Sequence, residues 1–307
     1  MRVALLAGGT GGAKLAAGMQ EELGGGLTVI ANTADDVETL GVHVSPDPDL
    51  CTYWLSGEID EERGWGLRDD TFTVMGRLAD VGAPNWFSLG DRDLAACLYR
   101  AEFMREGGRQ TDAQAQISRG LGIEATVLPM CDEAVRTQVL TEHGRRELQE
   151  YLILDGGRPR VDGVELDGIA AARPTAEVAN AFRTADLIVL GPSNPVISIG
   201  PILAVPGMRE AIDASPAPVV AVSPYVGGQI LKGPTNKFME ALGRPTTAAG
   251  VASLYAGLID AMVVDEDEPD PPPDLPTLTA KTLMDGAGGR VRLARTVIDY
   301  GQTLIDA

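Results

Sequence analysis

Positive charge is what this chain has least of for its size: 25 Lys and Arg stand against 44 Asp and Glu, a formal net charge of -19. That balance excludes a sequence-independent grip on nucleic acid, which needs a basic surface to displace counterions. An anionic ligand would have to be held by local groups against the overall field, so glycine-rich turns, carboxylate clusters and isolated arginines gain weight. Cysteine is also sparse. Cys51, Cys97 and Cys131 stand far apart with no CxxC pair, which argues against a disulfide framework or a structural zinc site and fits a reducing cytosol. Neither of the two histidines, His43 and His143, has the Ser or Cys context of a nucleophilic triad. No uninterrupted apolar run is long enough to span a bilayer, and no leader pattern precedes the first candidate strand. The expected setting is therefore cytoplasmic, with no membrane partner.

What is present reads as one large α/β domain over residues 1–307, able to bury a full core. "VALLAG" at residues 3–8 predicts a buried strand, residues 11–23 the helix after it, and "LTVIANT" a second strand, which together open a βαβ unit. The expected fold is Rossmann-like, a mostly parallel sheet with helices on both faces. "DDTFTVMGRLADVG" and "DRDLAACLYRAEFMREG" carry helical periodicity, and Thr111 is a candidate N-cap. From about residue 125 to 164 the pattern turns to short strands ("ATVLPM", "VRTQVLTEHG", "RELQEYLIL"), a small β-rich insertion with His143 in a hairpin turn. The alternation resumes with a helix near residues 176–183 and with "ADLIVLGPSNP" and "APVVAVSPYVGG", strands that each end in a Gly/Pro/Ser loop. "DEDEPDPPPD" reads as a surface connection before a last helix at about 289–305.

Five loops carry candidate chemistry. In "LAGGTGGAKL" the residues Gly9, Thr10, Gly11, Gly12 and Lys14 follow a buried strand and open a helix, where free N–H groups and the positive dipole end suit a phosphate. The P-loop pattern is not met, and a dinucleotide fingerprint would want glycine where Lys14 stands. "NTADD" supplies Asp35 and Asp36, and the proline-punctuated turn "SPDPDL" supplies Asp47 and Asp49; carboxylates beside a phosphate loop point to Mg2+. His43, beside them, is expected to order the loop. In "LGDRDLA", Arg92 offers a planar donor fork to a phosphate or an aromatic ring. Ser193 and Asn194 in "GPSNP" have the amide and hydroxyl to read a nucleoside, and "SPYVGGQILKGPTNK" adds Gly227, Gly228 and Lys232 at the next strand end.

With those loops in place the chain resembles the 2-phospho-L-lactate transferases of coenzyme F-420 biosynthesis, including the bacterial members that transfer phosphoenolpyruvate. The resemblance runs in order over nearly the full length, through "LAGGTGGAKL", "NTADD", "HVSPDPDLCTYWLSGEID", "GWGLRDDTF", "LGDRDLA", "LPMCDEAVRT", "LQEYLI", "GPSNPVISIGPILAVPGMREAI", "APVVAVSPYVGG", "KGPTNKFMEALG" and "TLMDG". It implies a magnesium-dependent transferase with a guanosine diphospho-linked three-carbon acid as donor. The acceptor it implies is the ribityl hydroxyl of 7,8-didemethyl-8-hydroxy-5-deazariboflavin, with GMP leaving. Residue by residue, it puts Asp49 and Arg92 at the deazaflavin and, as catalytic groups, Asp36, Asp49 and Arg92. Asp36 and Asp49 become the magnesium ligands, with Asp35 as an alternative; a carboxylate such as Asp49 or Asp36 would serve as any base. Gly9, Thr10, Gly11, Gly12 and Lys14 would hold the donor diphosphate, and Ser193, Asn194, Gly227 and Gly228 the guanosine. A homodimer is the family expectation. Cys51 and Cys131 occupy positions that commonly carry other small residues, and "PYVGGQI" varies a segment often written with isoleucines; neither removes a charged group from the site.

Two other readings compete. A nucleotide-sugar glycosyltransferase also favours a GGTGG loop after its first strand, but it needs two comparable Rossmann domains. A non-catalytic nucleotide-binding regulator of related fold would lack the deazaflavin residues, against which the intact "PDPDL" and "GDRDLA" count.

Overall fold

The structure is a computed structural model that describes residues 1–306. The first βα unit sets the frame. The five-residue strand β1 (Val3–Ala7) is buried throughout and runs straight into the 15-residue helix α1 (Gly9–Leu23). Strand β2 (Leu27–Ala31) returns beside β1 in parallel, with Val3 against Leu27 and Ala7 against Ala31. The short antiparallel ribbon β3 (Val37–Thr39) and β4 (Val42–Val44) follows. Then come the helices α2 (Pro46–Leu55), α3 (Thr73–Asp80), α4 (Asp91–Arg105) and α5 (Gln110–Gly120), which lead into β5 (Thr126–Pro129).

The β-rich insertion is a three-stranded antiparallel sheet in the order β7 (Gly144–Glu147), β6 (Arg136–Thr141), β8 (Val161–Asp167). Two expectations shift here. "ATVLPM" joins the main sheet as β5, pairing in parallel with β2, because its continuous apolar side chains are buried on both faces. "QEYLIL" coils into a π-helical turn at Glu150–Leu154, whose Tyr151 is buried, so a short apolar run there is helical. His143 is exposed in the β6–β7 turn, as expected.

The remainder alternates: α6 (Ala176–Thr184), β9 (Leu187–Leu190), α7 (Ile199–Ala204), α8 (Met208–Asp213), β10 (Val219–Val222), the ribbon β11 (Tyr225–Val226) and β12 (Gln229–Ile230), α9 (Thr235–Ala241), α10 (Ala248–Leu254), β13 (Ala261–Asp265), β14 (Thr277–Ala280) and α11 (Gly286–Ile305). The seven-stranded sheet has the order β14-β13-β10-β9-β1-β2-β5, and every pairing in it is parallel. Alternate residues of each strand face opposite layers: Leu6, Ile30, Leu190 and Met262 lie in one core, and Leu5, Val29, Val189 and Val263 in the other. Helices cover both faces, which an all-parallel sheet requires. Because the chain builds β1, β2 and β5 outward on one side and then β9, β10, β13 and β14 on the other, the order reverses between β1 and β9. Ligands bind at such a switch point, outside the carboxyl ends of the strands.

Candidate functional site

The glycine loop sits at that switch point. Gly8 caps α1 with extended backbone and no side-chain cap, and the first turn carries no acidic residue. A helix start leaves its first N–H groups without helical partners, so those of Thr10 and Gly11 are available to an anion. Two of the glycines are required by close approach. A Cβ on Gly11 would lie 2.1 Å from the Pro192 carbonyl oxygen, and one on Gly12 would lie 2.5 Å from the Ser193 hydroxyl and 2.8 Å from the Ala7 Cβ. The loop after β9 therefore rests directly on the loop after β1, and the Gly8 N–H donates to Ser193 Oγ at 3.2 Å. Gly11→Ala is expected to cost about 1–3 kcal/mol of stability by overpacking and to abolish turnover, since the clash is with backbone. Urea unfolding and a donor-turnover assay check both; wild-type activity in the variant would show that the two loops need not touch.

The acidic residues converge on the same edge, and the structure divides them into two kinds. Asp36 is fully engaged within the protein: Ser45 Oγ donates to Oδ1 at 2.8 Å, Gln110 Nε2 donates to Oδ2 at 2.7 Å, and His43 Nε2 lies 2.8 Å from Oδ2. His43 thus belongs to the cluster as well as ordering its ribbon, with its other nitrogen 2.5 Å from Glu38. Burial by itself would lower the imidazole pKa, but the hydrogen bonds to Asp36 and Glu38 outweigh it and raise it to about 9. Asp49 is held on both oxygens by Arg100, which is completely buried and also donates to the His43 carbonyl at 3.1 Å. Burial works against the Arg100 charge, yet the adjacent Asp49 carboxylate raises its pKa. Asp93 accepts from Tyr53 Oη at 2.7 Å, and burial followed by the nearby Asp49 charge pushes it up to about 7. Asp49, Asp93 and Cys97 are close enough to hold a cation, but a guanidinium already fills that role.

Asp35 and Asp47 differ in kind. Both accept from one amide, Asn32 Nδ2, at 3.3 Å and 3.0 Å, and no basic side chain pairs with either among the described residues. Asp47 Oδ1 also accepts from the Gly9 N–H at 2.5 Å, which ties the acid pair to the phosphate loop. Burial, then the charges of Asp47 and Asp36, raises the Asp35 carboxyl well above the carboxylate range, and burial raises Asp47 to about 6. Two hard oxygen donors, buried, convergent and short of positive charge, fit a divalent cation such as Mg2+. Asp47 belongs to the acid cluster of the sequence, although the family resemblance points to Asp36, Asp49 and Asp35 as ligands. The proline punctuation predicts a turn at Asp47 and Asp49, whereas the structure puts both in the first turn of α2, where prolines are tolerated and acids favoured. Thr111 likewise lies inside the first turn of α5 and donates to Asp132 instead of capping.

The remaining candidates are more scattered. Asn194 accepts from the Val196 and Ile197 N–H groups and donates to Thr235 at 3.2 Å, so its side chain shapes the loop beside the switch point. Gly227 and Gly228, with φ of 55° and 71°, make the left-handed turn of the β11–β12 ribbon. Arg92 is half exposed, pairs with Glu58 and donates to the Arg68 carbonyl at 3.2 Å. It stands eight residues before Arg100 on α4, about 12 Å along the axis, and lines an open cavity of about 430 Å³ with Tyr53, Leu67 and Tyr99. The structure thus brings Asp47 to the glycine loop and Asp35 beside it through Asn32, holds Asp36 and Asp49 among other side chains, and leaves Arg92 half exposed about two turns before Arg100 on α4. Arg100, Asn32, Gln110 and Ser45 had no separate signal, since polar residues within a helix or loop carry no mark of burial.

Fold and glycine loop define an α/β protein of doubly wound type whose open helix N-terminus and buried carboxylates meet at the carboxyl edge of its sheet. The family described as 2-phospho-L-lactate transferase CofD matches residues 3–277. The 2-phospho-L-lactate transferase of Methanosarcina mazei is 40% identical over 263 residues, 85% of this chain and 86% of that protein. That of Methanopyrus kandleri is 37% identical over 99% of both, and the phosphoenolpyruvate transferase of Streptomyces coelicolor is 40% identical over 88% of this chain and 87% of its own. The chain belongs to the 2-phospho-L-lactate transferase family, and it is an enzyme, a transferase. The crystal structure of a UPF0052 family protein from Bacillus halodurans superposes with a TM-score of 0.65 at 19% identity, covering 97% of this chain and 98% of the other, which shares the fold. Among the described residues no helix is long and apolar enough to cross a membrane.

Proposed function

We propose that this enzyme transfers a phospho-three-carbon acid, 2-phospho-L-lactate or phosphoenolpyruvate, from a guanosine diphospho-linked donor to 7,8-didemethyl-8-hydroxy-5-deazariboflavin, releasing GMP. The observation that carries the reading is the contact of the Asp47 carboxylate with the Gly9 N–H, which joins the phosphate loop and the acid pair into one crevice. The diphosphate is assigned to the N–H groups at the start of α1, and the guanosine to the Ser193–Asn194 loop, with Gly227 and Gly228 on its flank. Asp35 and Asp47 would hold Mg2+, which supplies charge neutralisation on diphosphate oxygens. Asn32 keeps both carboxylates aimed at one point, and Asp36, clamped by three donors, fixes the strand end that carries Asp35. The deazaflavin is assigned to the side of Asp49 and Arg92, where the open cavity offers tyrosine rings. The names of both kinds of relative support the transferred group, and they leave its acid as a pair of alternatives.

The same reading includes a cytoplasmic homodimer. The test mixes purified protein with Mg2+, the deazaflavin and each guanosine diphospho-linked acid in turn, and follows the acidic product by chromatography with mass detection. One productive donor is expected. Deazaflavin binding with no turnover of any donor would overturn the reaction, and turnover undiminished by chelation would overturn the role given to the metal.

A further inference from the structure

In a chain so short of positive charge, unpaired cations standing together call for an explanation. Of the four lysines, Lys237 donates to backbone carbonyls, whereas Lys14, Lys232 and Lys281 have neither a carboxylate nor a hydrogen-bond partner among the described residues; of these, Lys14 and Lys232 stand near one another. Lys14 lies one turn beyond Thr10 on the same face of α1. Its ammonium is 5.5 Å from the centre of the Trp54 ring, and the Arg290 guanidinium is 4.8 Å from the same centre. Lys232, exposed between β12 and α9, lies against the tip of the loop between α2 and α3: a Cβ on Gly64 would be 2.8 Å from its Nζ. Glu61, paired with Arg290 at 3.1 Å, is the acid that acts on Lys14, and burial, then Arg290, with Lys232 adding to them, lowers the Lys14 pKa. Three segments far apart in sequence therefore each bring one cation to the flank of α1, beside the phosphate loop. Like charges gathered beside a single paired acid cost energy in the free protein, and a bound anion recovers it.

We propose that Lys14, Lys232 and Arg290 form an anion subsite that holds the acid end of the donor, its carboxylate above all, while the diphosphate lies on the start of α1. The inference rests on the donor reading above and goes beyond it, because it gives the acid end of the donor its own contacts, apart from the carboxylates that would hold the metal. The Trp54 ring, 4% exposed, forms the floor on which Lys14 and Arg290 are held at fixed height. The same chemistry would take a free phospho-acid, so the test separates the two sources.

Lys232→Met is the decisive variant, because Lys232 is exposed and its loss leaves the fold intact. Lys232→Arg should restore function, Lys14→Met tests the second cation, and Arg183→Gln on α6 makes the same charge change at a remote exposed site. The affinities of GDP alone and phosphoenolpyruvate alone are measured by calorimetry, and KM for the guanosine diphospho-linked acid by product formation. Lys232→Met should raise that KM and weaken phosphoenolpyruvate binding about tenfold or more, as for loss of a charged contact, with the GDP affinity unchanged and Arg183→Gln silent. Unchanged KM and phosphoenolpyruvate affinity in both lysine variants would overturn the proposal, as would an equal loss for GDP. Weaker phosphoenolpyruvate binding with unchanged donor KM would overturn the donor assignment in favour of a site for free phospho-acid. If wild-type protein turned over no such donor yet bound phosphoenolpyruvate through Lys232, the donor reading would fail while the anion subsite stood.

Discussion

Replacing Arg100 by methionine will destabilise the protein by about 3–5 kcal/mol, as expected when one partner of a buried ion pair is removed. Arg100 is completely buried, grips both oxygens of Asp49, and ties α4 to the carbonyl of His43 and to the side chain of Gln114. Without it the Asp49 charge would face Asp93 and Cys97 in a dry interior with no cation to answer it. Methionine fills much of the volume, so electrostatics and not a cavity dominates the loss. The double variant Arg100→Met, Asp49→Asn should recover a large part of it, since the uncompensated charge is then gone. Urea unfolding of the wild type, both single variants and the double variant gives the coupling directly. Additive losses would show that the pair contributes only packing. Turnover by the double variant would further test the placing of Asp49 at the acceptor, because a folded protein lacking that carboxylate should then be slow.

Asp47→Asn is expected to lower turnover by about 10²–10³-fold, the loss typical when a group that organises charge at the reacting centre is removed. The substitution keeps an oxygen to accept from Gly9, but it replaces the oxygen that accepts from Asn32 by an amide donor and halves the carboxylate pair offered to Mg2+. Folding without metal should change little, because neutralising one of several crowded buried carboxylates offsets the lost Asn32 hydrogen bond. Thermal melts separate the two effects. Mg2+ with GDP should raise the wild-type melting temperature by mass action and leave Asp47→Asn nearly unmoved. An equal shift in both proteins would remove Asp47 from the cation site. The parallel change Asp36→Asn should act mainly on stability, since His43, Ser45 and Gln110 would lose their common acceptor.

These two residues mark where reading the chain by itself stopped. The strand-loop-helix at "LAGGTGGAKL", the strand ends and the order of motifs were legible, because each depends on neighbours within a few residues. Asp47 was legible as an acid in a cluster, but choosing among four aspartates needs the partner of each oxygen. Those partners come from α1, α4, α5, the strand ends and the segment before the π-helical turn, up to 114 residues away in the case of Gln149 and Asp35. Arg100 was illegible altogether: within "CLYRAEF" it looks like any solvated helix arginine, and only the packing of α4 on the β3–β4 ribbon encloses it.

The sequence by itself determined that this is an α/β chain with a glycine-rich loop after its first strand, acids at the second, and a family likeness spread over nearly its whole length. Apolar periodicity and glycine placement are local properties, and they survive without coordinates. The tertiary structure alone decided which carboxylates remain open to a cation, that Arg92 stands apart from the crevice, and that Lys14, Lys232 and Arg290 share one surface. A parallel sheet joins its strands by long crossovers, so groups that meet at its carboxyl edge and along its helices come from distant segments. Their meeting is set by the order of the strands, and no local pattern encodes it.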